Sequence, residues 1–224
     1  MDKLPIRQDY IDNVMQQARQ AADAFARFER EKTDYILRKV FESAFNNRFK
    51  LAEMAFQETG IGKLEDKLTK NTIATRYVYD DIKDFRAAGI IHHDPESGIT
   101  EIARPLGPIF AICPVTNPTS TVLFKILISL KTRNPLIISP HGAARKCSIE
   151  AARLCYEAAL EAGAPEHSIQ WLKRVNKDEV IAFMEHKKNS FHTGNRFGWT
   201  GQGGLPFGQS HHWHWSRKCT CLCG

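Results

Sequence analysis

The sequence predicts an α/β fold: a helical N-terminal portion followed by an incomplete, doubly wound parallel sheet. Three observations predict it. Apolar residues recur at helical spacing through the first 85 positions, and short apolar runs alternate with helical stretches from residue 99 to 188. The alternation then stops at Asn189. The chain therefore divides into 1–98, 99–188 and a tail, 189–224.

Ile11, Val14, Met15, Ala18, Ala21, Ala22, Phe25 and Phe28 form the first helical stripe. A second helix fits Thr33 to Asn46. A third fits Lys50 to Thr59, where Gly60 supplies the left-handed C-cap. Leu64 to Phe85 reads as one long helix with Ile73, Tyr77, Tyr79 and Ile82 on its core seam. The turn cluster Asp94-Pro95-Glu96-Ser97-Gly98 ends this portion. Ile99–Ala103 and Ile109–Cys113 then read as strands. Pro118 opens a helix over Thr119–Lys131, since the first helical position needs no N–H. Leu136–Ser139 is a buried strand, Ala144–Ala162 a helix stopped by Gly163, Ile169–Leu172 a strand and Asp178–His186 a helix.

The 224 residues carry a formal charge of +6, with 42% hydrophobic and 25% charged residues, a globular composition. No apolar run reaches the roughly 18 residues of a membrane span, and the N-terminus has no signal-peptide pattern, so a cytoplasmic protein without membrane contact is expected. The basic excess is unevenly placed. Residues 189–224 hold Arg196, Arg217 and Lys218 with no acidic residue, three of the six Cys and three of the four Trp. The rest of the chain has a nearly balanced surface, which argues against a nucleic-acid partner.

In a parallel sheet of this kind ligands bind at the strand-to-helix turns. Two turns stand out. In Cys113-Pro114-Val115-Thr116-Asn117-Pro118, the Asn117 side chain can cap the following helix or donate its amide N–H to an oxyanion. Ser139-Pro140-His141-Gly142 is either a plain loop or a seat for the adenosine of a dinucleotide. Gly163-Ala164-Pro165 reads as a helix stop or a wall of the same adenosine site. No GxGxxG follows the first strand of the sheet.

The runs Pro114–Thr121, Leu130-Lys131-Thr132-Arg133-Asn134 and Ser139-Pro140-His141 resemble those of the CoA-acylating aldehyde dehydrogenases. The likeness is closest to the aldehyde dehydrogenase half of bifunctional aldehyde–alcohol dehydrogenases. Glu58-Thr59-Gly60, Glu65-Asp66-Lys67, Lys70-Asn71 and Ala162–Pro165 support it, and it extends over residues 1 to about 188. The resemblance implies NAD-dependent oxidation of a short-chain aldehyde such as acetaldehyde to its acyl-CoA, and the reverse, through a cysteine thiohemiacetal. It gives Asn117 the oxyanion role and places Thr116, Ser139, Pro140, His141, Gly163 and Pro165 around NAD. It also implies a homo-oligomer in the full-length enzyme. The family's nucleophile falls beyond the last residue of this chain, and Cys113, Cys147 and Cys155 do not match its position, so an inactive fragment is expected.

The tail admits two readings. His211, His212, His214, Cys219, Cys221 and Cys223 suggest a metal- or nucleic-acid-binding module, although Cys-x-Cys-x-Cys is poorly spaced for a tetrahedral ion, and no metal site is expected. The second reading is a shifted frame. A tryptophan codon read one base later always encodes glycine, so Trp199, Trp213 and Trp215 all become glycine. With permitted codons the stretch then reads as a strand, a glycine turn, a helix and a glycine-rich strand end. The tail is accordingly expected to be out of frame and disordered.

Overall fold

The computed structural model describes residues 6–174, 176–187, 189 and 191–193. Its first five helices are α1 (Gln8–Phe25), α2 (Arg30–Asn46), α3 (Arg48–Thr59), α4 (Leu64–Thr72) and α5 (Val78–Ile82). The stripe read for the first helix is buried on α1 from Ile11 to Phe25. Gly60 ends α3 at φ 63°, and its N–H returns to the Phe56 carbonyl at 2.9 Å.

The single long helix expected over Leu64–Phe85 is interrupted. Ile73–Tyr77 forms a π-turn between α4 and α5. There the Thr75 hydroxyl bonds back to the Asn71 carbonyl at 2.7 Å, competing with the regular helical ladder. The core seam consists of Ala74, Thr75 and Ile82, with Tyr79 stacked on Phe41 at 4.2 Å. Ile73 and Tyr77, expected in that seam, are instead 49% and 65% exposed.

A two-stranded antiparallel ribbon follows, β1 (Gly89–Asp94) with β2 (Ile99–Ala103). β1 was not legible in the sequence. The ribbon has no buried face, so selection for alternating apolar positions is absent from Gly-Ile-Ile-His-His-Asp. Ile99–Ala103 pairs only within this ribbon and does not enter the parallel sheet.

The parallel sheet comprises β3 (Ile109–Ile112), β4 (Leu136–Ser139), β5 (Ile169–Trp171) and β6 (Phe191–Thr193), in the order β5-β4-β3-β6. Helices α6 (Pro118–Lys131), α7 (Arg145–Glu161) and α8 (Lys177–Glu185) connect successive strands. Side chains alternate across the sheet. Ile109, Ala111, Leu136 and Ile138 face a core shared with α2, α6 and α7. Phe110 and Ile137 face the opposite core, formed with α1 and α8, where Phe110 stacks on Phe183 at 5.2 Å. The N-terminal helices are therefore the outer layers of the sheet, and both halves share one fold.

Residues Phe191–Thr193 pair in parallel with Ile109–Ala111 of β3. This corrects the expected disorder for these three residues of the tail: backbone pairing on β3 needs no particular side chains. The His and Cys cluster of the tail lies outside the described residues. Among the described residues no group of His, Cys, Asp and Glu could hold a metal ion, and no helix is long and apolar enough to cross a membrane.

Candidate cofactor and oxyanion site

The order β5-β4-β3-β6 makes β3 the strand from which the chain winds outward in both directions. A crevice opens at the carboxyl ends of strands at such a reversal, where flanking loops diverge. The turn from β3 to α6 and the turn from β4 to α7 both reach that edge. Cys113 is fixed beside Ser139, its N–H donating to the Ser139 carbonyl at 2.9 Å.

Asn117 stands at the N-cap of α6, but its side chain does not cap the helix. Its backbone carbonyl accepts the Thr121 N–H at 3.2 Å, while its side-chain amide makes no hydrogen bond among the described residues. The half-buried amide borders a groove of about 740 Å³, walled by Thr121 and Phe124 of α6, Ile73 and Val78 opposite, and Leu106. An uncommitted N–H₂ beside an apolar wall is the arrangement that stabilises a developing oxyanion, because its donors need not be withdrawn from another partner.

The loop carrying Asn117 is held from below by contacts distant in sequence. Asn71 accepts the Thr119 hydroxyl at 2.9 Å and donates to the Arg48 carbonyl at 3.0 Å. Lys67, only 6% exposed, points its ammonium at the Thr116 carbonyl at 3.5 Å. Burial lowers the Lys67 pKa. From the other side, Lys125 donates to the Ile112 carbonyl at 2.9 Å. These supporting roles were missed from sequence, where Lys67 and Asn71 carried only a family likeness.

At the second turn Ser139 is buried, Pro140 is partly buried and His141 is exposed. The His141 ring nitrogen Nδ1 accepts the Ala143 N–H at 3.2 Å, shaping a short 3-10 turn, Gly142–Ala144, before α7. The next N–H groups are taken by Glu58. Its carboxylate accepts from Lys146 at 2.8 Å and from Cys147 at 2.7 Å. Burial pushes the Glu58 pKa up, but those N–H bonds outweigh it and hold the carboxyl below its ordinary value.

Gly163 and Pro165 follow α7 and precede β5, which places them at the amino end of the strands, across the sheet from Ser139. Gly163 adopts φ 85°, and a Cβ there would collide with the Lys32 ammonium. Lys32 instead donates to the Ala162 carbonyl at 2.8 Å. The turn closes α7 and leads into β5. Thr116, Asn117, Ser139, Pro140 and His141 share the carboxyl edge.

The three described thiols are buried. Burial raises Cys113 to about 11 and both Cys147 and Cys155 to about 12, so all are protonated at neutral pH. None has the access or the thiolate character of a nucleophile.

Known proteins show the same fold and sequence over most of the described residues. The chain is 45% identical over 180 residues to aldehyde-alcohol dehydrogenase 2 of Entamoeba histolytica, which covers 80% of this chain and 21% of that protein. An acetylating aldehyde dehydrogenase structure from Geobacillus thermoglucosidasius superposes with a TM-score of 0.78 at 40% identity, over 81% of this chain and 40% of that one. An engineered glycolyl-CoA reductase with bound NADP+ matches with a TM-score of 0.68 at 26% identity, over 82% and 42%. The chain thus spans about a fifth of the curated relative and about two fifths of the solved structures. Residues 5–193 match the aldehyde dehydrogenase family, and the chain belongs to that family.

Proposed function

We propose that this chain supplies the oxyanion donor and part of the cofactor edge of an acylating aldehyde dehydrogenase, which converts a short-chain aldehyde to its acyl-CoA with NAD. The observation that carries the reading is Asn117: its amide is uncommitted, half-buried and mounted at the carboxyl edge of β3. NAD, when bound, would supply the hydride acceptor for the oxidation. Asn117 donates to the carbonyl oxygen as a thiolate adds to the carbon. Thr116, Ser139, Pro140 and His141 line the adjoining edge for the adenosine half. The apolar wall from Phe124 to Ile73 borders the same groove and offers the substrate a nonpolar surface. The remaining requirement is a thiolate, and the described cysteines cannot provide it. On this reading the nucleophile is none of the described cysteines, the chain alone does not turn over, and the working enzyme is a cytoplasmic homo-oligomer. Purified chain mixed with acetaldehyde, NAD and CoA should form no NADH; steady CoA-dependent NADH formation would overturn this assignment.

The frame reading belongs to the same proposal. A one-base shift near Asn189 replaced the family's glycine-rich cofactor segment. The absence of acidic residues from the last 36 positions supports it, as does a family match that ends at Thr193. Sequencing the gene around codon 189 tests it. A family-like continuation in the shifted frame is expected, and unrelated codons in all frames would refute it.

A further inference from the structure

In the Leu130-Lys131-Thr132-Arg133-Asn134 run, Thr132 and Asn134 border the far end of the groove that Asn117 faces, while Lys131 and Arg133 turn elsewhere. The run ends α6 at the amino edge of the sheet and builds a second polar hollow there. The hollow is lined by Arg30, Arg86, Lys131 and Arg133, with Asp34 as its one carboxylate, leaving three positive charges in excess. Asp34 is already engaged: it accepts from Lys131 at 2.7 Å and from Arg30 at 3.2 Å. Lys131, only 5% exposed, also donates to the Lys83 carbonyl at 2.6 Å, and Arg30 donates to the Asp84 carbonyl at 3.1 Å. Lys131 and Arg30 are thereby fixed. Arg86 is exposed and makes no hydrogen bond or ion pair among the described residues, while Arg133 uses only its Nε, toward the Thr33 hydroxyl at 3.2 Å.

Arg133 is the unusual element. The Asn134 N–H returns to the Ser129 carbonyl at 2.8 Å and the Arg133 N–H to the Leu130 carbonyl at 3.0 Å, a Schellman ending that puts Arg133 at the position glycine normally takes. It sits at φ 57°, a left-handed conformation that strains a residue with a Cβ. A glycine would close the helix equally well. The arginine accepts that strain and adds a guanidinium to the rim of the hollow. The hollow has about 10 Å³ of free space, room for one atom of oxygen size, so a ligand can seat a single oxygen inside while the rest stays among the guanidinium groups.

We propose that this hollow binds a phosphoryl-type oxyanion, with Arg86 and Arg133 as its ligands and the Lys131–Asp34–Arg30 chain as their support. The site is independent of the dehydrogenase reading. The same chemistry is offered by free phosphate and by the 3′-phosphate of a nucleotide such as CoA.

The test is a phosphorus-31 NMR titration of inorganic phosphate with the whole chain at fixed ionic strength. Saturable, sulfate-competed binding is expected. R86A removes an exposed side chain and R133G relieves the backbone strain, so both variants should fold. Each is expected to weaken phosphate by about tenfold, R133G while raising the thermal midpoint. Phosphate that fails to saturate the wild type, or binds both variants as tightly, overturns the proposal. If CoA competes and dephospho-CoA does not, the occupant is a phosphorylated nucleotide; if neither competes, it is free phosphate.

Discussion

Asn117 was legible because its neighbours restrict it. A strand ending in Cys113-Pro114 and a helix opening at Pro118 leave little doubt that the residue between them sits at a turn. Whether its side chain caps the helix depended on groups out of local reach, and the structure leaves it uncapped. The contacts that hold its loop, Asn71 with Thr119 and Lys67 with Thr116, join residues 48 and 49 positions apart. No local pattern encodes such pairs. The same holds for Glu58, which caps α7 from 88 positions away. Removing its charge has a consequence that can be measured. In the folded chain Glu58, Glu150 and Glu179 titrate below their ordinary values, Glu150 at about 2 through its bonds to Arg153 and Lys50. A carboxyl depressed by folding contributes stability that is fully present above its unfolded pKa and lost as pH falls through the folded one. Urea midpoints should therefore fall between pH 4.5 and about 2. Glu58→Gln is expected to cost about 1–2 kcal/mol at pH 7 and less near pH 3. An equal cost at both pH values would show that the carboxylate does not cap α7.

At the scale of elements, buried periodicity was readable and exposed structure was not. The stripe of α1 and the apolar runs of β3 and β4 carry their burial in their composition. β1 carries none, because its ribbon buries neither face. The π-turn at Ile73–Tyr77 was equally hidden: it changes the helical hydrogen bonding without a proline or glycine to mark it. It also separates the inner seam from the outer face, which is why Ile73 lines the groove beside Asn117 instead of the core. Gly163 shows what residue type leaves open: Gly163-Ala164-Pro165 reads equally as a helix stop or as a wall of an adenosine site. Its place between a helix end and a strand start puts it at the amino edge in any parallel βαβ unit. Connectivity, not residue type, decides which edge a turn serves.

At the scale of the whole molecule, the chain presents two polar features at opposite edges of one sheet. The carboxyl edge has Thr116, Asn117, Ser139 and His141; the amino edge has the arginine hollow and the Gly163 turn. The fold could be anticipated because α/β alternation survives in the hydrophobic pattern, but the packing of α1 onto the far face of the sheet joins Ile11, Val14, Met15 and Ala18 with Phe110 and Ile137, residues far apart in sequence. The assignment of the cofactor to the carboxyl edge is the central claim, and it separates the two edges cleanly. The measurement is NADH fluorescence on titration with the whole chain, repeated with substitutions at each edge. Thr116→Glu and His141→Glu, both at exposed positions, should weaken NADH at least about tenfold by placing charge against its phosphates, while Pro165→Ala should leave it unchanged. Binding that survives both glutamates, or that is lost on Pro165→Ala, would contradict the account.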